Sequence, residues 1–206
     1  MNKTINPRIR SFYHDTNEIP ELAIVPEKTA LLIMDMQDSN IRNMQIGMTG
    51  EDGEKHYSRW KDFYDRMTYI TLPANKEILA KAREVGIKVV YAMEGNQMEG
   101  DKIIDELKPV EGEEVILRDR SSITRGTTFV DDMKAAGIDT IIVTGIATDH
   151  CVSSSVRALS DYDFNVIVVD EACSADSMES HDYELKAINI CYCTVLSQMQ
   201  LMEIIG

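Results

Sequence analysis

Apolar residues in this chain fall into two alternating patterns: short, nearly unbroken runs, and longer stretches in which they recur every three or four positions. The runs are ALLIM (Ala30 to Met34), IKVVYAM (Ile87 to Met93), EVIL (Glu114 to Leu117), TIIV (Thr140 to Val143), FNVIVV (Phe164 to Val169) and CTVLS (Cys193 to Ser197). Runs of this length without polar alternation predict strands buried on both faces of a parallel sheet. Helical spacing appears at Ser58 to Tyr69, Pro73 to Val85, Thr127 to Ala136, Cys151 to Leu159 and Glu179 to Ile190, and in a terminal helix capped by Ser197 and running through Ile205. Pro73 suits a first turn, and Gly86 and Gly137 suit positions just past a helix end. Strands alternating with helices at this spacing predict right-handed crossovers. The expected fold is therefore α/β: a three-layer, Rossmann-like α/β/α arrangement around a mostly parallel six-stranded sheet, with order 3-2-1-4-5-6.

The intervening segments refine this picture. Met1 to Lys28 is polar and broken by Pro7, Pro20 and Pro26, and reads as an extended arm wrapping the domain or a neighbouring subunit. Met36 to Tyr57 is long for a connection inside a compact domain, which suggests a lid or binding loop. Glu94 to Gly112 is a polar connection with a helical turn expected at Asp101 to Leu107. The length, 206 residues, fits a single domain over 1–206.

Composition narrows the partners. A net charge of −14 disfavours phosphate backbones and anionic membranes, so neither a nucleic acid nor a membrane is expected and a small-molecule substrate is. No apolar run approaches the ~20 residues a membrane helix needs. Four scattered cysteines (Cys151, Cys173, Cys191, Cys193) and no cationic-apolar leader point to a reducing, cytoplasmic location. Cys191 and Cys193 lack partner ligands for zinc and are read as core thiols. His14 and His56 fall in loops where solvation is the default.

Chemistry is expected beyond the carboxyl ends of the strands, where strand order reverses. Asp35 follows the first strand, Arg118 the third, and Cys151 the turn after the fourth. In the assumed order the first and fourth strands are neighbours, which brings Asp35 to Cys151. A thiol at a helix mouth gains from the helix dipole, which should lower its pKa. A buried carboxylate can take its proton, a fixed cation can steady the shared charge, and backbone N–H groups of the turn can hold an oxyanion. His150 adjoins Cys151, but sequence neighbours at a helix start point apart, so a Cys–His pair is not expected.

ALLIMDMQ (Ala30 to Gln37), GIATDHCV (Gly145 to Val152), the VRAL that follows, VIVVDEACSA and HDYELKAI resemble the isochorismatase-like cysteine hydrolases, over about Thr29 to Cys193. That group includes nicotinamidases, N-carbamoylsarcosine amidases and ureidoacrylate-type amidohydrolases. The resemblance implies a catalytic Asp-Lys-Cys triad falling on Asp35, Arg118 and Cys151. It also implies a non-proline cis bond between Ile146 and Ala147, with the N–H groups of Ala147 and Cys151 as oxyanion donors. The family's K-x-x-x-S segment falls on RDRSS, so arginine stands where the family has lysine, and Ser122 takes the serine position. Arginine supplies charge but cannot shuttle a proton. Gln37, Arg120 and Ser122 are candidate substrate-binding residues, and His181 resembles a family histidine with a structural role. The nicotinamidase branch uses histidines after the second strand; YAMEGNQMEGD has none there, so no metal and no cofactor are expected. The resemblance also implies a homo-oligomer, dimer or tetramer. The expected activity is cysteine-dependent hydrolysis of a small amide, ureido or carbamoyl compound through a thioester. The alternatives are a catalytically weakened member acting as a binding or regulatory module, and a vinyl ether hydrolase that needs no sulfur nucleophile.

Overall fold

A computed structural model of the chain describes residues 5–19, 22–41, 60–95 and 99–206. Among them six strands form one sheet: β1 (Thr29–Met34), β2 (Lys88–Glu94), β3 (Glu114–Arg118), β4 (Thr140–Ile146), β5 (Asn165–Ser174) and β6 (Thr194–Leu196). Their order is β3-β2-β1-β4-β5-β6 and every pairing is parallel. The expected three-layer α/β fold and its strand order are therefore observed.

The uniformly apolar runs are explained by a core on each face. Along β1, Leu31 and Ile33 join one buried cluster and Ala30, Leu32 and Met34 the other. Since successive strand residues point to opposite faces, a strand covered on both sides needs an apolar residue at every position. One cluster packs beneath α1 (Leu72–Val85) and α5 (Gln198–Ile204); the other lies beneath α2 (Phe129–Ala135), α3 (Ser153–Asp161) and α4 (Met178–Ile188). Helix α1 is entered from helical residues 60–66 through a π-helical segment, Met67–Thr71, and stops at Gly86, whose φ of 80° lets it close onto the carbonyls of Ala82 and Arg83. None of the helices among the described residues is long and apolar enough to cross a membrane.

Several expectations need correction. The fifth strand does not stop at Val169: it runs through Asp170 to Ser174, because the bulged end of β4 continues to pair with it, Gly145 with Cys173 and Ile146 with Ser174. Asp170 is tolerated inside the strand because cations surround it. The helical turn before β3 is limited to Asp105–Leu107. Cys191 is exposed in the turn after α4, whereas Cys193 is buried. His14 is buried and bonded to Ser11. Most of the Met36 to Tyr57 loop, residues 42–59 with His56, lies outside the described residues; its start forms one helical turn, Asp38–Ile41.

The arm packs on its own chain. Ile9 is fully buried, its carbonyl accepts from Asn189 Nδ2 at 2.8 Å, and the Ile5 carbonyl accepts from Gln200 Nε2 at 2.9 Å. Arg8 pairs with Asp170 and Asp182.

Candidate active site

The sheet register puts the reactive residues at one edge. Met34 pairs with Ala92 and Gly145, and Glu94 with Arg118, so Asp35, Glu94, Arg118 and Ile146 end their strands side by side. Asp35 turns out of β1 with φ 54°, a left-handed conformation that aspartate tolerates better than most residues. The turn is held by its N–H on the Ala92 carbonyl at 2.9 Å and by Asn40 Nδ2 on its own carbonyl at 3.3 Å.

Close approach of β1 and β4 depends on Gly145. Its φ is +106°, and a Cβ there would lie 2.0 Å from the Met34 carbonyl oxygen. The chain then passes through a cis peptide between Ile146 and Ala147 into a π-helical turn, Thr148–Val152, which continues as α3. Cys151 thus sits within the turn ahead of the α-helix. The Ala147 carbonyl closes this turn by accepting from the N–H groups of His150 (3.0 Å) and Val152 (3.1 Å).

Asp35 and Arg118 form a buried ion pair, with side chains 3% and 1% exposed. One terminal nitrogen of Arg118 donates to Asp35 Oδ2 and the other to the Arg120 carbonyl. Asp35 Oδ1 is buried without a hydrogen-bond partner in this geometry. Burial raises the Asp35 pKa to about 6, against the opposing pull of Arg118 and Cys151 and with a small further push from Glu94. Burial, and then the Asp35 charge, push the Cys151 thiol up to about 12, outweighing Arg118. This overturns the expected lowering. Loss of water and then the carboxylate's field both act on the sulfur, so the resting pair near neutral pH is thiol and carboxylate.

Asp35 and Cys151 both line a cavity of about 380 Å³, and Arg118 is buried behind Asp35. Its described walls are Ile146, Ala147, Asp149 and His150 from the cysteine turn, Trp60 and Phe63 from the helix before α1, and Asn40, Glu94, Ser121 and Asp176 from the strand-end loops. The three substrate-binding candidates are placed elsewhere. Gln37 is fully buried and ties Ser39, Asp101 and the Glu94 backbone together. Arg120 is exposed and pairs with Asp119, and the Ser122 hydroxyl bonds Thr124 while Ser121 takes the place at the wall. Glu94 was open to discovery by the strand-end rule that selects Asp35. Asp176 was hidden by truncation of β5, and Trp60 and Phe63 carried only a helical-spacing signal.

Behind the turn, Thr148 Oγ1 meets His181 Nδ1 at 2.8 Å, and His181 Nε2 lies 3.0 Å from Asp170 Oδ1 and 2.9 Å from Arg66. Arg66 also reaches the carbonyls of Asp170 and Cys173. No group of three or more His, Cys, Asp or Glu residues among those described is arranged to hold a metal ion.

Residues 29–200 match the isochorismatase domain model. The maleamate amidohydrolase of Pseudomonas putida is 25% identical over 111 residues, 54% of this chain and 51% of that protein. The ureidoacrylate amidohydrolase RutB of Yersinia enterocolitica is 36% identical over 70 residues, 34% and 30% of the two chains. The fold is shared with a cysteine hydrolase structure from Pseudomonas syringae, with a TM-score of 0.74, 18% identity and coverage of 92% of this chain and 98% of that one. With the domain model spanning most of its length, from β1 into α5, the chain belongs to the isochorismatase family.

Proposed function

We propose that the chain is a hydrolase that cleaves the C–N bond of a small amide, ureido or carbamoyl compound, with Cys151 as nucleophile. The observation that carries this reading is that Cys151 and Asp35, the latter paired with the buried Arg118, line one cavity large enough for such a molecule. The two amidohydrolase relatives agree with it.

Asp35, ionised above a pKa of about 6, takes the Cys151 proton on Oδ1 as sulfur attacks the carbonyl carbon. The thiol keeps its proton until attack, and the negative charge passes to the carbonyl oxygen, where the N–H groups of Ala147 and Cys151 receive it. Asp35 returns the proton to the leaving nitrogen, the C–N bond breaks, and a thioester remains. Water then gives a proton to Asp35 and attacks the thioester, the C–S bond breaks, and the proton returns to sulfur. Arg118 works by charge and position alone: with one arm on Asp35 and the other on a backbone carbonyl, it keeps the carboxylate aimed.

The test is ammonia release from a panel of small amides, ureides and carbamoyl compounds. Wild type is expected to turn over at least one of them and Cys151→Ala to lose at least 10³-fold in kcat/KM. Equal release by both proteins would refute cysteine catalysis and leave a route without a sulfur nucleophile.

A further inference from the structure

We infer that the portion of the substrate remote from the scissile carbonyl carries a positive charge, as a primary ammonium or guanidinium group, and not a carboxylate. The inference rests on the reading of Cys151 as nucleophile and adds the substrate class.

It starts from the charges of the cavity. Among the described residues lining it, Asp35, Glu94, Asp149 and Asp176 are acidic, and none is lysine or arginine. The nearby cation, Arg118, is 1% exposed and both its terminal nitrogens are engaged, by Asp35 and by the Arg120 carbonyl. It cancels the Asp35 charge from behind and is not part of the cavity wall that a substrate anion would meet. Arg120 pairs with Asp119 at the surface, outside the cavity wall. Glu94, Asp149 and Asp176 therefore leave an excess of negative charge; the exposed His150, 3.1 Å from Asp149, offsets it only when protonated.

Two further features point the same way. Trp60 and Phe63 stand edge to face on one wall, with ring centroids 6.4 Å apart, and aromatic faces attract ammonium and guanidinium groups. Asp35 Oδ1 is a buried acceptor without a protein donor. A substrate carboxylate would add a like-charged acceptor to this partly desolvated acidic site. The net charge of −14 draws cations toward the molecule as a whole, so local and global fields agree.

The experiment reads the cavity's field at Cys151 without requiring turnover. In a Cys191→Ser background, which removes the exposed thiol, Cys151 is labelled with methanethiosulfonates bearing an aminoethyl cation or a sulfonatoethyl anion. The ratio of the two rates is divided by the same ratio for 2-mercaptoethanol. A corrected preference for the cation above threefold is expected, falling below half its value in the Glu94→Gln/Asp176→Asn double variant. A preference of threefold or less, or one the double variant leaves above half, overturns the assignment. Alongside, kcat/KM is compared for 4-aminobutanamide, butanamide and succinamate. Fastest cleavage of the ammonium compound supports both readings, and fastest cleavage of succinamate overturns the charge assignment while hydrolysis stands. No cleavage of these three amides or of the wider amide, ureide and carbamoyl panel, with the labelling preference intact, refutes hydrolysis and leaves the charge preference supported.

Discussion

At the level of single residues, the site depends on two ionisable groups that burial pushes in the same direction. Asp35 and Cys151 both favour their protonated forms when desolvated, but from such different starting points that one is ionised and the other neutral near neutral pH. A pH profile follows. In the proposed mechanism Asp35 takes the thiol proton as a carboxylate, so kcat/KM is expected to rise with pH, bend near pH 6 and fall about tenfold per unit below it. Asp35→Asn should lose at least ~10²-fold across the whole range. Initial rates between pH 4.5 and 8 check this, and a profile flat down to pH 5 would remove Asp35 from the role of base. The residue types and their convergence were legible in the sequence, since an aspartate and an arginine each ended an apolar run. The sign of the cysteine shift was not. It is decided by how much water and how much opposing charge surround the sulfur, and neither quantity is written in the local motif.

At the level of elements, apolar runs located the six strands of the described sheet, most of them covered on both faces where no polar alternation is admitted; β3 departs from this as an edge strand, with Val115 39% and Leu117 66% exposed. The pattern failed at β5, where a charged residue looked like an end. Arg8 and Arg66, 162 and 104 positions away, make Asp170 acceptable inside a strand, so local polarity could not mark the boundary. The β1–β4 contact makes a sharper demand. Gly145→Ala must either drive its Cβ into the Met34 backbone or pull the two central strands apart, and its φ of +106° is unsuited to alanine in any case. We expect a loss of about 3 kcal/mol or more in chemical denaturation. Unchanged stability would mean that the strands can separate locally at little cost. The same substitution should depress activity in whatever protein remains folded, because Asp35 and the cysteine turn leave these two strands at adjacent positions.

At the level of the whole molecule, a buried polar network joins the arm to the cysteine turn. Asn6 and Arg8 hold Asp170, Asp170 holds His181 and Arg66, and His181 holds Thr148, three positions before Cys151. Burial alone would raise the Asp170 pKa, yet bonds from His181 and Arg8 keep it well below the usual carboxylate range. Burial holds the His181 pKa below its ordinary 6.5, against the raising effect of Asp170. The folded chain therefore binds fewer protons at His181 than the unfolded chain, and this contribution to stability is complete above pH 6.5 and is lost as pH falls below it. Urea midpoints should decline between pH 6.5 and 5, and His181→Gln should show a shallower decline; an identical slope would exonerate His181. The sequence offered a wrapping arm and a structural His181, but not their junction through Asp170, which it shows as a strand end. The network also orders events in time. Asn6 bonds a residue 164 positions away and Ile5 one 195 away, so the arm can dock only after β5 and α5 are in place. In a sheet built wholly from long-range parallel pairings, such late docking is slow. The support behind the cysteine turn is then among the final parts to close, and the sheet forms before that turn is held from behind.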